Sequence, residues 1–180
     1  MTFEFIADRP VLDFVPTLSE RGTTNEEGLR TPTDLAAWIA QSRLVHNDVE
    51  VTADQLDAAK ALREALFGLL SGLIDGSDPS PHDRHLVNTA AARPPPVAHL
   101  SPRGELRRTG DLGAVLAVLA NDCLSLFDSP DRHALHWCDG DRCTRPYIDR
   151  SRGQRRRWCG MKGCGDRAKA ATYRQRQRAV

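Results

Sequence analysis

The stretch Cys138-Asp-Gly-Asp-Arg-Cys143, then Thr144-Arg-Pro-Tyr-Ile-Asp-Arg-Ser-Arg-Gly-Gln-Arg-Arg-Arg-Trp158, then Cys159-Gly-Met-Lys-Gly-Cys164 decides how the chain is read. Two Cys-x4-Cys pairs stand fifteen residues apart, with arginines packed between and after them. Zinc takes four soft ligands in a tetrahedron, and two close pairs deliver them as two tight knuckles. Cys138, Cys143, Cys159 and Cys164 supply that set, with Gly140, Gly160, Gly163 and Gly165 where a knuckle must turn. Thr144–Asp149 and Arg155–Trp158 read as two strands around Ser151-Arg-Gly-Gln154, and Asp166 as the cap of a helix over 167–178. A knuckle, a hairpin and a second knuckle at a helix start make a treble-clef-like zinc finger, in which the metal is structural.

Two other readings of the cysteines stay open. A disulfide framework needs an oxidising compartment. A redox thiol pair favours Cys-x2-Cys spacing on a βαβ pattern. A catalytic zinc would leave a position for water, and four thiolates close the shell. Cys123, on the apolar stripe of an upstream helix, reads as a core residue.

The arginines give the finger its second property. Residues 138–180 hold thirteen Lys/Arg against four Asp/Glu, whereas residues 1–137 hold twelve against twenty. A basic end on an acidic body is the pattern of a surface that seeks a polyanion. Arg150, Arg152, Arg155, Arg156 and Arg157 lie on the expected hairpin. On the last helix, about 100° per residue groups Arg167, Arg174 and Arg178 and sets Lys169 and Arg176 opposite. These ten residues are the candidate nucleic-acid contacts, because a guanidinium donates two parallel hydrogen bonds to a phosphate.

Upstream, the pattern is helical. Thr31-Pro-Thr-Asp34 and Thr52-Ala-Asp-Gln55 are helix starts of the capping-box type, and Ser80-Pro-His-Asp83 repeats the signal. Leu56, Ala59, Leu62, Leu66, Leu69, Leu70 and Leu73 recur at three and four, the clearest amphipathic helix of the chain. Val97–Leu100 and Glu105–Arg108 flank Ser101-Pro-Arg-Gly104 as a small hairpin. Asp111 caps a further helix, and Ser129-Pro-Asp131 reads as a turn between two units, 1–131 and 132–180. Asp13, His82, Asp83 and His85 read as caps and solvated positions. No Ser/His/Asp constellation with supporting context, Gly-rich phosphate loop or His/carboxylate metal motif appears, so the chain does not read as an enzyme.

These residues carry a resemblance. Tyr147–Lys169, followed by Tyr173-Arg-Gln-Arg-Gln-Arg178, resembles the CGNR zinc finger found in bacterial stress-induced transcription regulators. Val11-Leu-Asp-Phe-Val-Pro-Thr-Leu18, Asp34–Ile39 and Ala61–Leu70 resemble the helical ABATE domain that precedes that finger. The resemblance implies zinc on the four cysteines and DNA binding by the finger. The chain departs from the family pattern at Asp166 and at Pro16, where the family has Asn.

The fold expected is mainly α (α+β): a helical N-terminal sensor domain with a small β-hairpin, then the four-cysteine finger and a basic helix. The partners implied are DNA, a small-molecule or protein effector at the N-terminal domain, and a second copy in a homodimer. The start lacks a signal-peptide pattern, and no stretch reaches the roughly 18 apolar residues of a membrane span, so a cytoplasmic location without membrane contact is expected. The alternative is a zinc-stabilised interaction module that docks on acidic partners and leaves nucleic acid aside.

Overall fold

The computed structural model describes residues 2–178, apart from the side chains of residues 172, 176 and 178. The helices begin where their side chains can close the first turn. In α2 (Pro32–Ser42) and α3 (Ala53–Asp75), Thr31 with Asp34 and Thr52 with Gln55 form reciprocal capping boxes. Ser80 accepts from the Asp83 N–H at the head of α4 (Pro81–Ala91), and Asp111 from the Ala114 N–H at the head of α5 (Leu112–Phe127). Before them, Val11–Phe14 belong to a short helix, α1 (Pro10–Phe14). The polar excursion after it is closed by a strand pair, β1 (Leu18–Ser19) with β2 (Glu26–Glu27).

The body's core lies between α1, α3 and α5, with α4 packed across α3 and α5. Leu12, Phe14, Trp38, Leu66, Leu70, Leu119 and Leu126 are fully buried in it. Trp38 meets the Phe14 ring edge-on at 4.9 Å, a favourable aromatic geometry. Cys123 is buried here, as its place on the stripe of α5 predicts.

Two of the upstream motifs meet around one buried cation. Arg63 on α3 is 2% exposed. Its guanidinium donates to both Glu27 oxygens at 2.8 Å, to Glu64 at 2.7 Å and to the Thr17 hydroxyl at 3.2 Å. Arg21 donates to Glu64 as well and lies 4.2 Å over the Phe67 ring. Burial pushes the Glu27 carboxyl up, but the hydrogen bonds from Arg63 and the Leu29 N–H outweigh it and hold it below its ordinary value. Asp13 is buried rather than solvated. It accepts the Ile6 and Ala7 N–H groups at 2.9 and 3.1 Å, and so ties the N-terminal segment to α1. Pro16 sits in a 3-10 turn, Val15–Thr17, whose early positions suit a residue without an N–H.

The second hairpin forms as expected from β3 (Val97–Leu100) and β4 (Leu106–Thr109), paired antiparallel. A 3-10 helix, Pro130–Ala134, replaces the expected turn and leads into β5 (Leu135–Trp137), which pairs antiparallel with β6 (Pro146–Ile148). The expected strand over 155–158 is absent: this segment is irregular, and the partner of β6 lies before the first cysteine instead. The reason is apolar pairing. Leu135 and Ile148 sit opposite each other and are both buried in the body's core, whereas the arginine run has nothing to bury. The last helix, α6 (Asp166–Arg178), starts on Asp166 itself, placing an acid in the first turn near the positive end of the helix dipole.

Removing one partner of a buried ion pair leaves the other charge uncompensated. Arg63→Ala is therefore expected to cost about 3–5 kcal/mol, read as a lower urea midpoint at unchanged slope. In the unaltered protein, the contribution of Glu27 is present at neutral pH and is lost as pH falls through its depressed pKa, not as pH rises.

Candidate metal centre and nucleic-acid interface

The first knuckle is the loop of the β5–β6 hairpin. Cys138 donates its N–H to the Arg145 carbonyl, and Cys143 donates to the Gly140 carbonyl, closing a tight turn between the two thiols. A Cβ on Gly140 would stand 2.8 Å from the Cys164 sulfur and 3.2 Å from the Cys143 Cβ, so the two knuckles close onto a residue without a side chain. The second knuckle bends at Gly163, whose φ of +94° is a left-handed geometry that glycine adopts without steric cost. It delivers Cys164 directly into the start of α6.

All four sulfurs lie within 4.8 Å of one another. The Cys143–Cys159 and Cys159–Cys164 separations are 4.0 and 3.9 Å. Zn–S bonds of about 2.3 Å in a tetrahedron place sulfurs about 3.8 Å apart, so the cluster fits the ion. The surrounding donors fit thiolates as well. The Gly140 and Cys159 N–H groups point at the Cys138 sulfur at 3.4 and 3.2 Å, and the Arg167 guanidinium donates to the Cys164 sulfur at 3.0 Å. Cys123 stands apart, its thiol pushed up to about 12 by burial.

Two residues that sequence reasoning passed over hold the loop between the knuckles. Asp149 is 1% exposed and accepts the Ser151 and Arg156 N–H groups at 2.8 and 2.7 Å. The Tyr147 hydroxyl donates to the Arg156 carbonyl. Their signal was the Tyr147-Ile-Asp149 run itself, an alternation that sends Ile148 to the body and Tyr147 to the cysteines.

The ten candidate contacts divide. Arg156 is structural: its guanidinium donates to the Trp158 and Cys159 carbonyls and lies 4.8 Å over the Tyr147 ring. Arg157 pairs with Asp139 at 2.9 Å and lies 5.4 Å over Trp158. Arg150 pairs with Asp131 at 2.8 Å and reaches Asp8 at 3.7 Å. Arg167 serves the zinc centre. Two arginines outside the ten tie the finger to the N-terminal segment, Arg142 to Glu20 at 3.4 Å and Arg145 to Glu4 at 3.0 Å. Among the described residues, Arg152, Arg155, Lys162, Lys169 and Arg174 are exposed and have no acidic partner. The side chains of Arg176 and Arg178 lie outside the described residues.

Comparison with family models agrees with this anatomy. Residues 8–130 match ABATE, described as "Putative stress-induced transcription regulator", and residues 135–177 match the CGNR zinc finger. No curated protein matches the chain. The cysteine cluster and the finger match together identify the metal as structural zinc.

A donor that orients a metal ligand is worth about 10–100-fold in metal affinity. Arg167→Ala is expected to loosen zinc by that factor in chelator competition. Cobalt in place of zinc is expected to give the visible spectrum of a tetrahedral four-thiolate site. In the zinc-loaded native protein, Cys123 is expected to stay unreactive toward an exchange reagent such as a mixed aromatic disulfide.

Proposed function

The chain belongs to the ABATE family, described as "Putative stress-induced transcription regulator", and from that premise we propose that it binds DNA through its zinc finger under control of the helical unit. The division is taken as 1–131 for the helical unit and 132–180 for the finger. The observation that carries the reading is the contrast among cations of one finger. Six described arginines are fixed by carboxylates, carbonyls, rings or a ligand sulfur. Arg152, Arg155, Lys162, Lys169 and Arg174 stay exposed and unpaired beside them. Zinc makes the scaffold rigid, so these charges are held in place rather than carried on a solvated tail. Phosphate contact of this kind supplies affinity and register, whereas sequence preference requires base contacts in a groove.

An effector of the helical unit, a small molecule or a protein, would reach the finger through the ion pairs that three arginines make across to it, Arg142 with Glu20, Arg145 with Glu4 and Arg150 with Asp131 and Asp8. The same pairs favour a second reading, in which finger arginines dock on the acids of a partner protein.

Salt titration of binding to labelled duplex DNA tests the choice. Log K is expected to fall linearly with log salt, by about 0.9 for each phosphate engaged. The combined variant Arg152→Ala, Arg155→Ala, Lys169→Ala and Arg174→Ala is expected to flatten that slope by about 3 to 4. Arg156→Ala is expected to act instead through loss of finger stability. Absence of binding at low salt, with salt-sensitive self-association, moves the weight to docking on acidic partners.

A further inference from the structure

The β3–β4 hairpin is the one strand pair among the described residues whose eight residues are all exposed. Val97 is 67% exposed, Leu100 71% and Leu106 51%. A lone two-stranded hairpin is only marginally stable in water, and large apolar side chains left bare on one mark an association surface. The two edges of the hairpin are not equivalent. On the β4 side, His46 donates its N–H to the Arg108 carbonyl at 2.7 Å and accepts the Arg108 N–H on Nδ1 at 3.0 Å, while Asn47 holds Gly110 through both its amide atoms. That edge is covered. The β3 edge has no such cover among the described residues.

The register fixes what the open edge offers. Ser101 donates its N–H to the Glu105 carbonyl, and antiparallel pairs alternate between hydrogen-bonded and non-hydrogen-bonded. His99 and Val97 therefore turn their backbone groups toward β4, and Ala98 and Leu100 turn theirs outward. The use of Arg108, the partner of Ala98, by His46 agrees with this phase. Within Val97-Ala-His-Leu100 the edge carries no Asp, Glu, Lys or Arg, no proline and no bulge, three of the devices that keep natural edges apart.

We propose that the β3 edge pairs with the β3 edge of a second copy of this chain, across a twofold axis at His99. In that register Ala98 lies opposite Leu100 of the second copy, and Leu100 opposite its Ala98. Both are outward-facing pairs, so they form four backbone hydrogen bonds. The same register keeps Ala98, Leu100 and Leu106 of both copies on one face of a four-stranded sheet, in a continuous apolar strip. Shifting the centre to Ala98 sets Leu100 against Pro96, which has no N–H to give. Among the described residues, no further strand lies against the β3 edge. An edge without Asp, Glu, Lys or Arg sets none of these charges against its own mate in an isologous contact.

The test uses the full zinc-loaded chain in sedimentation equilibrium and in backbone amide exchange. The unaltered protein is expected at twice the 19.9 kDa chain mass, with little dependence on salt. The Ala98 and Leu100 amides are expected to be protected at high protein concentration and to exchange freely on dilution, while the His99 and Ser101 amides stay protected throughout. Ala98→Pro removes an outward N–H without touching a β3–β4 bond, and Leu100→Lys places a charge beside its own symmetry mate. Both are expected to yield a monomer with unchanged helical signal and unchanged zinc content. A monomeric unaltered protein across the micromolar range overturns the proposal. So does a dimer that survives both substitutions, or one that dissolves with salt, which would assign the contact to the finger and the acidic body.

Discussion

Four thiolates within 4.8 Å of one another repel too strongly to share a small space without a cation among them. The finger's geometry follows from that constraint. A 43-residue segment buries too little apolar surface to fold by itself, and its own cluster is the four cysteines with Tyr147 and Trp158. Binding of zinc can contribute about 10–16 kcal/mol of apparent folding free energy, comparable to the whole stability of an ordinary domain, about 5–15 kcal/mol. The knuckle glycines, the N–H groups aimed at sulfur and the guanidinium of Arg167 are arranged around the ion. The first residues of α6 are placed by Cys164, so the direction of the basic helix is itself set by the metal.

The finger is not hung on the body by a free linker. One cross-strand pair of the β5–β6 hairpin, Leu135 with Ile148, enters the body's core, while Tyr147 on the next position of β6 enters the cysteine cluster. The pleat sends successive side chains to opposite faces, so a three-residue strand joins two cores that, among the described residues, share no other element. Trp137 extends the junction: its ring lies 5.3 Å from Phe67 and its indole N–H donates to Asp75, both on α3. A shift in α3 is therefore felt at the strand that carries the first zinc ligand, without any rearrangement of the knuckles themselves.

Local chemistry was legible in the sequence, and long-range pairing was not. Caps such as Thr31 with Asp34 need only residues three apart, and the stripe on α3 needs only a period of 3.6, so both could be read directly. The four cysteines could be read for the same reason, because each pair is a local knuckle. The strand partner of β6 could not, since β5 and the arginine run are equally near in sequence and only the body's core distinguishes them. Asp13, Arg63 and Asp149 were hidden by another circumstance. A buried charge looks in sequence like any surface charge, and what allows its burial is a set of partners brought together from distant segments, as Thr17, Glu27 and Glu64 are around Arg63.

The charge asymmetry of the chain has to be read with the structure as well. Counted as residues, the finger is strongly basic, yet a zinc ion held by four thiolates carries two net negative charges, and Arg167 is drawn in to offset part of them. Further arginines are neutralised by acids of the body or of the first knuckle. What faces solvent is a smaller set of cations than the composition suggests, but a better placed one. Of the acids that meet Arg142, Arg145 and Arg150, Glu4 is exposed while Glu20 and Asp131 are half-buried, and surface salt links of this kind are worth little, about 0–1 kcal/mol. A polyanion bound at the finger, as proposed, would compete with the acidic body for Arg142, Arg145 and Arg150, and where the two contacts exclude each other each would weaken the other by the same free energy.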